Sequence, residues 1–295
     1  MLAVYDLAVS PPTYDFIGFL VTAERQRIRW GEKSITFVIV GGPKNGFRED
    51  NLPPHDPEVR RKMLDNIVKP MCTLLPTCDS VLEIPRTELA DVLAQHTRIF
   101  PMGYDALSPK PAYGTKFFVK ASRAQVLPLM VNDVQKEKGL IVITLRQSHY
   151  WPTRNSDVAE WLKVARALID QGKRVVFVPD TESDGSELEG FDVDRLASTD
   201  ITHRARLAAQ AELNLSVNNG PIWMLSMMPQ VSIMAFRMVA ADAPAVSPAY
   251  FASQGLPVGS QLDRPNHKII WQDDTAEVIL AAIDEGFPDT KRKAA

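Results

Sequence analysis

Glu212-Leu213-Asn214-Leu215-Ser216-Val217-Asn218-Asn219-Gly220-Pro221-Ile222-Trp223-Met224-Leu225 decides how this chain is read. Leu213, Leu215 and Val217 alternate with Asn214 and Ser216, the period of two that a strand shows. The alternation stops at Asn218-Asn219-Gly220-Pro221, and a helical run follows to about Met227. Asn219 suits a helix N-cap, because its side-chain oxygen can accept one of the first backbone N–H groups. Gly220 lets a ligand approach the backbone, and Pro221 fits a first helical turn, where its missing N–H is not needed. The segment predicts a strand, a polar turn and a helix whose open N–H groups and positive dipole end suit a phosphate. A plain turn with an N-cap and no ligand reads the same residues as well.

Outward from this stretch, strands and helices alternate. Leu140 to Leu145 is a strand, followed by a loop from Arg146 to Arg154. Asn155 or Ser156 is the expected cap of a helix to Asp170, with Val158, Trp161, Leu162, Ala165 and Leu168 facing inward. Arg174 to Val178 is the next strand, and an acidic, glycine-containing loop spans Asp180 to Gly190. Thr202 to Gln210 is a helix. After the opening segment come strands at Val231 to Phe236 and Lys268 to Trp271, then a helix from Thr275 to Glu285. This rhythm means parallel β-α-β units with right-handed crossovers.

The first half repeats it less cleanly. Leu2 to Val9 and Ser34 to Val40 read as buried strands, with a helix from Thr13 to about Trp30 between them. The second strand runs into Gly41-Gly42-Pro43-Lys44-Asn45-Gly46-Phe47-Arg48. Lys44 and Arg48 there either reach an anion or sit on a solvated loop; the spacing fits no dinucleotide or P-loop pattern. A helix from Pro57 ends near Pro70, Ser80 to Ile84 is a strand, Pro85 to Gln95 a helix, and Ile99 to Tyr104 a fourth strand. Residues 117–139 begin as a strand or helix and end in a charged joining segment, Asn132 to Lys138. The expected fold is α/β, with two Rossmann-like lobes, residues 1–138 and 139–295, and a cleft between them.

Composition narrows the function classes. The chain has 295 residues, 45% of them hydrophobic, enough for two cores. Its 33 basic and 36 acidic residues are mixed, which argues against a nucleic-acid surface. The basic Lys291-Arg292-Lys293 is short and reads as a solvated terminus. Two cysteines and five scattered histidines make no metal-ligand spacing, and a reduced compartment is expected. No signal-peptide pattern and no apolar run of roughly 18 residues is present, so the reading is a cytoplasmic protein without a transmembrane segment, with peripheral membrane contact left open.

At the turn, Leu213 to Pro221, with the helix after it and Pro229-Gln230-Val231-Ser232-Ile233, the chain resembles the donor domain of GT-B glycosyltransferases. Nearest in style are the lipopolysaccharide heptosyltransferases. The order of elements from Leu140 to Glu285 is similar, as is an N-terminal strand whose loop leads to an aspartate at a helix start, here Asp15. The chain departs at Asn218 and Asn219, where that family has Asp and Ser, and at Trp223 or Met224, where it has His. Arg146 to Asn155 replaces a Pro-Gly-Ala-Ser loop.

The resemblance implies transfer of a sugar from a nucleotide-sugar, the co-substrate, to a glycan-type acceptor, with no cofactor, no metal and no nucleic-acid partner. Arg146, Ser148, Arg154, Asn218, Asn219 and Gly220 are the expected substrate-binding residues, and Asp15 the expected catalytic base. Other roles stay open: Arg146 or Arg154 as an ion pair with the acidic 180s loop, Asp15 as a helix-dipole residue, Asp6 as an alternative base, and His149 beside Tyr150 and Trp151 as a base or a stacking group. Trp223 and Met224 read as core. A catalytically inactive GT-B-like protein that binds a nucleotide or sugar is the alternative, and other GT-B chemistry such as epimerisation is a third.

Overall fold

A computed structural model describes residues 1–49, 56–111, 129–240, 242–262 and 264–287. The chain divides into two compact α/β units, Met1–Met130 and Val131–Ala295, each with its own parallel sheet. The division precedes the joining segment expected at Asn132 to Lys138, and Glu137 and Lys138 already belong to a strand. The readings of residues 117–128 and of 291–293 lie outside the described residues.

In the first unit β1 (Leu2–Asp6), α1 (Phe16–Trp30), β2 (Ile35–Val40), α2 (Pro57–Met63), α3 (Lys69–Thr73), β3 (Cys78–Ile84), α4 (Leu89–Ala94) and β4 (Ile99–Phe100) follow one another. The strands lie in the order β3-β2-β1-β4, all parallel. Alternation sends Leu2, Val4, Val38 and Val40 to one face, packed with Ile84 and Leu89. Tyr5 and Phe37 face the other way and meet Phe16 and Phe19, and Phe19 in turn meets Phe100, with ring centroids 4.8 to 6.4 Å apart. Each such buried ring contributes about 2 kcal/mol from lost water contact.

Local chemistry explains the departures in this unit. β1 stops at Asp6 rather than Val9, because the N–H groups of Val9 and Ser10 turn back onto the Asp6 carbonyl at 3.2 and 2.9 Å. The fourth strand is two residues long: Pro101 has no N–H for a ladder, and the chain turns, Tyr104 N–H donating to the Pro101 carbonyl. The helix from Pro57 runs past Pro70 to Thr73 through a π turn, Leu64–Val68, in which Lys69 N–H reaches back to the Leu64 carbonyl. The wider turn accommodates a ring that would clash with a regular preceding turn.

The second unit contains β5 (Glu137–Thr144), α5 (Val158–Asp170), β6 (Arg174–Val178), β7 (Asp192–Val193), α6 (Leu196–Thr199), α7 (Ile201–Gln210), β8 (Ala211–Val217), α8 (Gly220–Leu225), β9 (Ile233–Phe236), α9 (Pro248–Ser253), β10 (His267–Ile269) and α10 (Ala276–Glu285). The order is β10-β9-β8-β5-β6-β7, again parallel. Ile141, Ile143, Phe177, Leu213, Leu215 and Phe236 pack on Trp161, Ala165 and Leu168 of α5 and on Ile279 of α10. Leu140, Val142, Val176 and Val178 pack on Ala197 and Leu207 from the other side.

Both faces of the sheet are therefore covered, and the polar face of β8 is buried too. Asn214 Nδ2 donates to the Ala208 carbonyl at 3.0 Å and Ser216 Oγ to the Thr144 carbonyl at 3.1 Å, which satisfies these two donors away from water. β7 and α9 were not anticipated. α9 starts at Ser247, whose hydroxyl accepts Tyr250 N–H at 3.2 Å with Pro248 in the first turn. Among the described residues no helix is long and apolar enough to cross a membrane.

Candidate functional site

From β5 the chain moves through β6 to β7 on one side, and from β8 through β9 to β10 on the other. The carboxyl ends of β5 and β8 thus flank the point where the strand order reverses, where open parallel sheets bind ligands. Arg146, Ser148 and Arg154 follow β5, and Asn218, Asn219 and Gly220 follow β8, so the fold gathers all six expected substrate-binding residues at one end of one sheet.

Arg146 is 6% exposed, and its guanidinium holds the loop that follows it. Nη1 donates to the Trp151 carbonyl at 3.1 Å and to Asn155 Oδ1, and Nη2 donates to the Tyr150 carbonyl. These acceptors are neutral. Burial draws the guanidinium pKa down, while Asp180 and Glu182 act against this through their charge. Sequence reading aimed Arg146 at a ligand or at the acidic loop; its hydrogen bonds instead go to its own loop.

The acidic loop is tied down by other donors. Gln147 N–H reaches Asp180 Oδ2 at 3.1 Å, Ser148 Oγ donates to Glu182 Oε1 at 3.0 Å, and His149 meets Glu182 Oε2 through its N–H at 2.7 Å and through Nδ1 at 2.9 Å. Burial raises the Glu182 carboxyl pKa, but the donors from His149 and Ser148 outweigh it and hold the group below its ordinary range. Thr153 Oγ1 adds hydrogen bonds to both oxygens of Asp242, at 2.7 and 2.9 Å.

At the end of β8 both asparagines are engaged. Asn218 Nδ2 donates to the Met238 carbonyl at 2.8 Å, and its Oδ1 accepts Trp223 Nε1–H at 3.1 Å. Asn219 Oδ1 accepts Ile222 N–H at 3.0 Å, the predicted N-cap, and its Nδ2 donates to Ser216 Oγ at 2.8 Å. Arg154 crosses from the β5 loop, its Nη2 3.3 Å from the Asn218 carbonyl and its guanidinium 5.9 Å from the Trp151 ring centroid. α8 ends at Leu225, short of the expected Met227, so its dipole end is weaker than the sequence implied. Met224 is buried, as expected for core, while Trp223 is half-buried and stacks on Phe251 with centroids 6.3 Å apart.

Three features escaped sequence reading. The cap of α5 is Asp157, whose Oδ1 accepts Glu160 N–H at 3.3 Å. Asn155 and Ser156 serve the loop instead, Ser156 Oγ accepting Arg146 N–H at 2.9 Å. Behind the loop the fully buried Asp274 accepts Trp161 Nε1–H at 2.7 Å and Asp157 N–H at 3.0 Å, and pairs with Arg237 Nε at 2.6 Å. Arg237, at φ +45°, also donates to the Asn155 carbonyl at 2.8 Å. A buried Trp N–H needs an acceptor, which was the one available signal, but Asp274 lies 113 residues away.

In the first unit Asp15 is exposed at the start of α1 with helical backbone angles, φ −59° and ψ −22°, and makes no capping hydrogen bond. Asp6 ends β1, next to β4, where this sheet reverses its order. It is buried and paired with Arg86, accepts Tyr104 O–H at 2.5 Å, and accepts Ala8 N–H at 2.9 Å. A carboxylate so engaged is a structural anchor rather than a base. The glycine-rich loop closes on itself, Gly42 N–H donating to Gly46 at 2.8 Å. A Cβ on Gly42 would lie 2.5 Å from the Phe47 carbonyl and 2.7 Å from the Leu7 oxygen, so the glycine there serves a backbone contact. Among the described residues no three His, Cys, Asp or Glu side chains group to hold a metal.

No family model and no curated protein matches the sequence. Among solved structures the chain is similar to the ADP-heptose lipopolysaccharide heptosyltransferase II of E. coli, at 11% identity over 96% of this chain and 97% of that one, with a TM-score of 0.49. It is similar to the E. coli heptosyltransferase WaaC with ADP-2-deoxy-2-fluoro heptose, at 11% identity over 97% and 99%, TM-score 0.44. It is also similar to a family 9 glycosyl transferase of Veillonella parvula, at 11% identity over 97% and 90%, TM-score 0.48.

Proposed function

We propose that this chain is a GT-B-type glycosyltransferase that moves a sugar from a nucleotide-sugar donor to a glycan-type acceptor without a metal. The observation that carries the reading is the convergence of Arg146, Arg154, Asn218, Asn219 and Gly220 on the switch point of the second unit's parallel sheet. In the proposed reaction the acceptor oxygen attacks the anomeric carbon while that carbon's bond to the diphosphate oxygen breaks. Arg154 and the backbone N–H groups of the β8 turn stabilise the charge that develops on the leaving diphosphate. Asp15, on the first unit, takes the acceptor's proton in an inverting transfer. The proposed location is the cytoplasm, supported by two free cysteines, Cys72 and Cys78.

Thermal unfolding with ADP, GDP and UDP tests the binding half. At least one raises the Tm, and Arg154→Ala reduces the shift; a flat response to all three rejects the reading. A second reading, a GT-B-like protein that binds a nucleotide or sugar without transferring it, draws on Asn218 and Asn219, whose amides are engaged and which supply no acid or base. Donor hydrolysis that disappears in Asp15→Asn rejects the second reading and keeps the first.

A further inference from the structure

We propose that Tyr150 and Trp151 form the nucleobase-stacking platform of this site, and that Arg146 is the residue that positions it. This deepens the nucleotide reading above and rests on it.

The two rings lie together as a tilted pair, with centroids 4.2 Å apart and planes 31° from parallel. Tyr150 is 36% exposed although it carries a large apolar surface, and it sits on the loop that leaves the carboxyl end of β5. Trp151 backs it, with the Arg154 guanidinium 5.9 Å from the Trp151 centroid. Adjacent aromatic rings beside a guanidinium make a surface for a planar, polarisable group, and a nucleobase is that group in a nucleotide.

The platform is held in place at some cost. Trp151 has φ +54° and ψ +71°, a left-handed conformation that a bulky side chain rarely adopts and that costs about 1 to 3 kcal/mol. The buried Arg146 grips the carbonyls of both platform residues, and Asn155 besides. Ser148 Oγ accepts Tyr150 N–H at 3.1 Å while donating to Glu182, which fixes the approach to the platform. The loop is thus held in one conformation by its own hydrogen bonds. The division of labour is specific: Arg154 and the β8 turn serve the diphosphate, the ring pair serves the base, and Arg146 acts through the ring pair.

The test compares affinities of the full chain for the nucleoside diphosphate that raises its Tm most and for inorganic pyrophosphate, by calorimetry. Tyr150→Ala weakens the nucleoside diphosphate by about 5- to 150-fold, the range of stacking losses, and leaves pyrophosphate unchanged, while Tyr150→Phe binds as the parent does. Trp151→Gly fits the left-handed backbone and so folds, yet loses affinity for the nucleoside diphosphate; Trp151→Phe retains most of it. Arg146→Met lowers nucleoside diphosphate affinity on its own and adds nothing in the Tyr150→Ala, Trp151→Gly background. A further loss in that background makes Arg146 a direct ligand and overturns its positioning role. Unchanged affinity in Tyr150→Ala and Trp151→Gly overturns the platform and leaves the nucleotide reading standing, and so does an equal loss for pyrophosphate. Absence of nucleotide binding to the parent chain rejects both.

Discussion

The two sheets reverse their strand order in the same way, but they fill the reversal point differently. In the first unit a buried carboxylate, Asp6, is closed off by the guanidinium of Arg86 and the hydroxyl of Tyr104. In the second a buried guanidinium, Arg146, is wrapped by neutral oxygens of its own loop. The first arrangement matches charge with opposite charge and seals the end of the strand. The second uses a charge to shape a loop that carries exposed aromatic surface. Chemistry at a switch point depends on what the surrounding loops leave accessible, and on that ground the second unit is the better candidate for a ligand.

The largest expected effect comes from breaking the sealed cluster. Asp6→Ala leaves Arg86 and Tyr104 without their shared acceptor and costs about 3 kcal/mol in urea unfolding; a neutral result would remove the contrast between the two units. Arg146→Met removes three hydrogen bonds from the loop and costs about 2 kcal/mol by the same measurement, with the loss of nucleotide affinity described above. Asp6→Ala leaves that affinity intact.

Acid separates the units in a further way. In the second, burial and the nearby Arg264 draw the buried His267 down from 6.5 to about 3. The unfolded chain takes up that proton near pH 6.5 while the folded chain resists it, so this contribution to stability is complete above pH 6.5 and is lost as pH falls toward 3. In the first unit, hydrogen bonds from Arg61 hold Glu83 and Asp65 at about 2, below their ordinary 4.5 and 3.8, so stability there is lost only as pH falls from about 4.5 toward 2. Hydrogen exchange read separately for each unit shows the second loosening first on acidification, and His267→Gln flattens its profile between pH 6.5 and 3. The smallest effect is at the cap: Asn219→Ala removes the acceptor for Ile222 N–H and costs about 1 kcal/mol, read from the Tm.

Much of the fold was legible because its signals are local. Period-two alternation marked β8, an apolar run marked β6 to its ends, and Thr275 marked the start of α10 by accepting Val278 N–H at 3.3 Å. The N-cap at Asn219 was legible for the same reason, since the cap and the N–H it accepts lie three residues apart. The short β7 was not, because so few residues carry no period and owe their pairing to a neighbouring strand, while the fourth strand was expected from Ile99 but ends at Phe100 rather than Tyr104.

The candidate site divides along the same line. From the sequence alone came the parallel α/β class, the strand-turn-helix at Asn218 to Pro221, and the placing of Arg146 and Arg154 in a loop after a strand. Only tertiary structure decided what those groups do. It turned Arg146 onto its own loop, matched Asn218 with Met238 and Trp223, and set Asp274 under Trp161 from far along the chain. Residue type limits which hydrogen bonds a side chain can make, but the partner is whichever complementary group the folded backbone brings within about 3 Å, near in sequence for Arg146 and distant for Trp161.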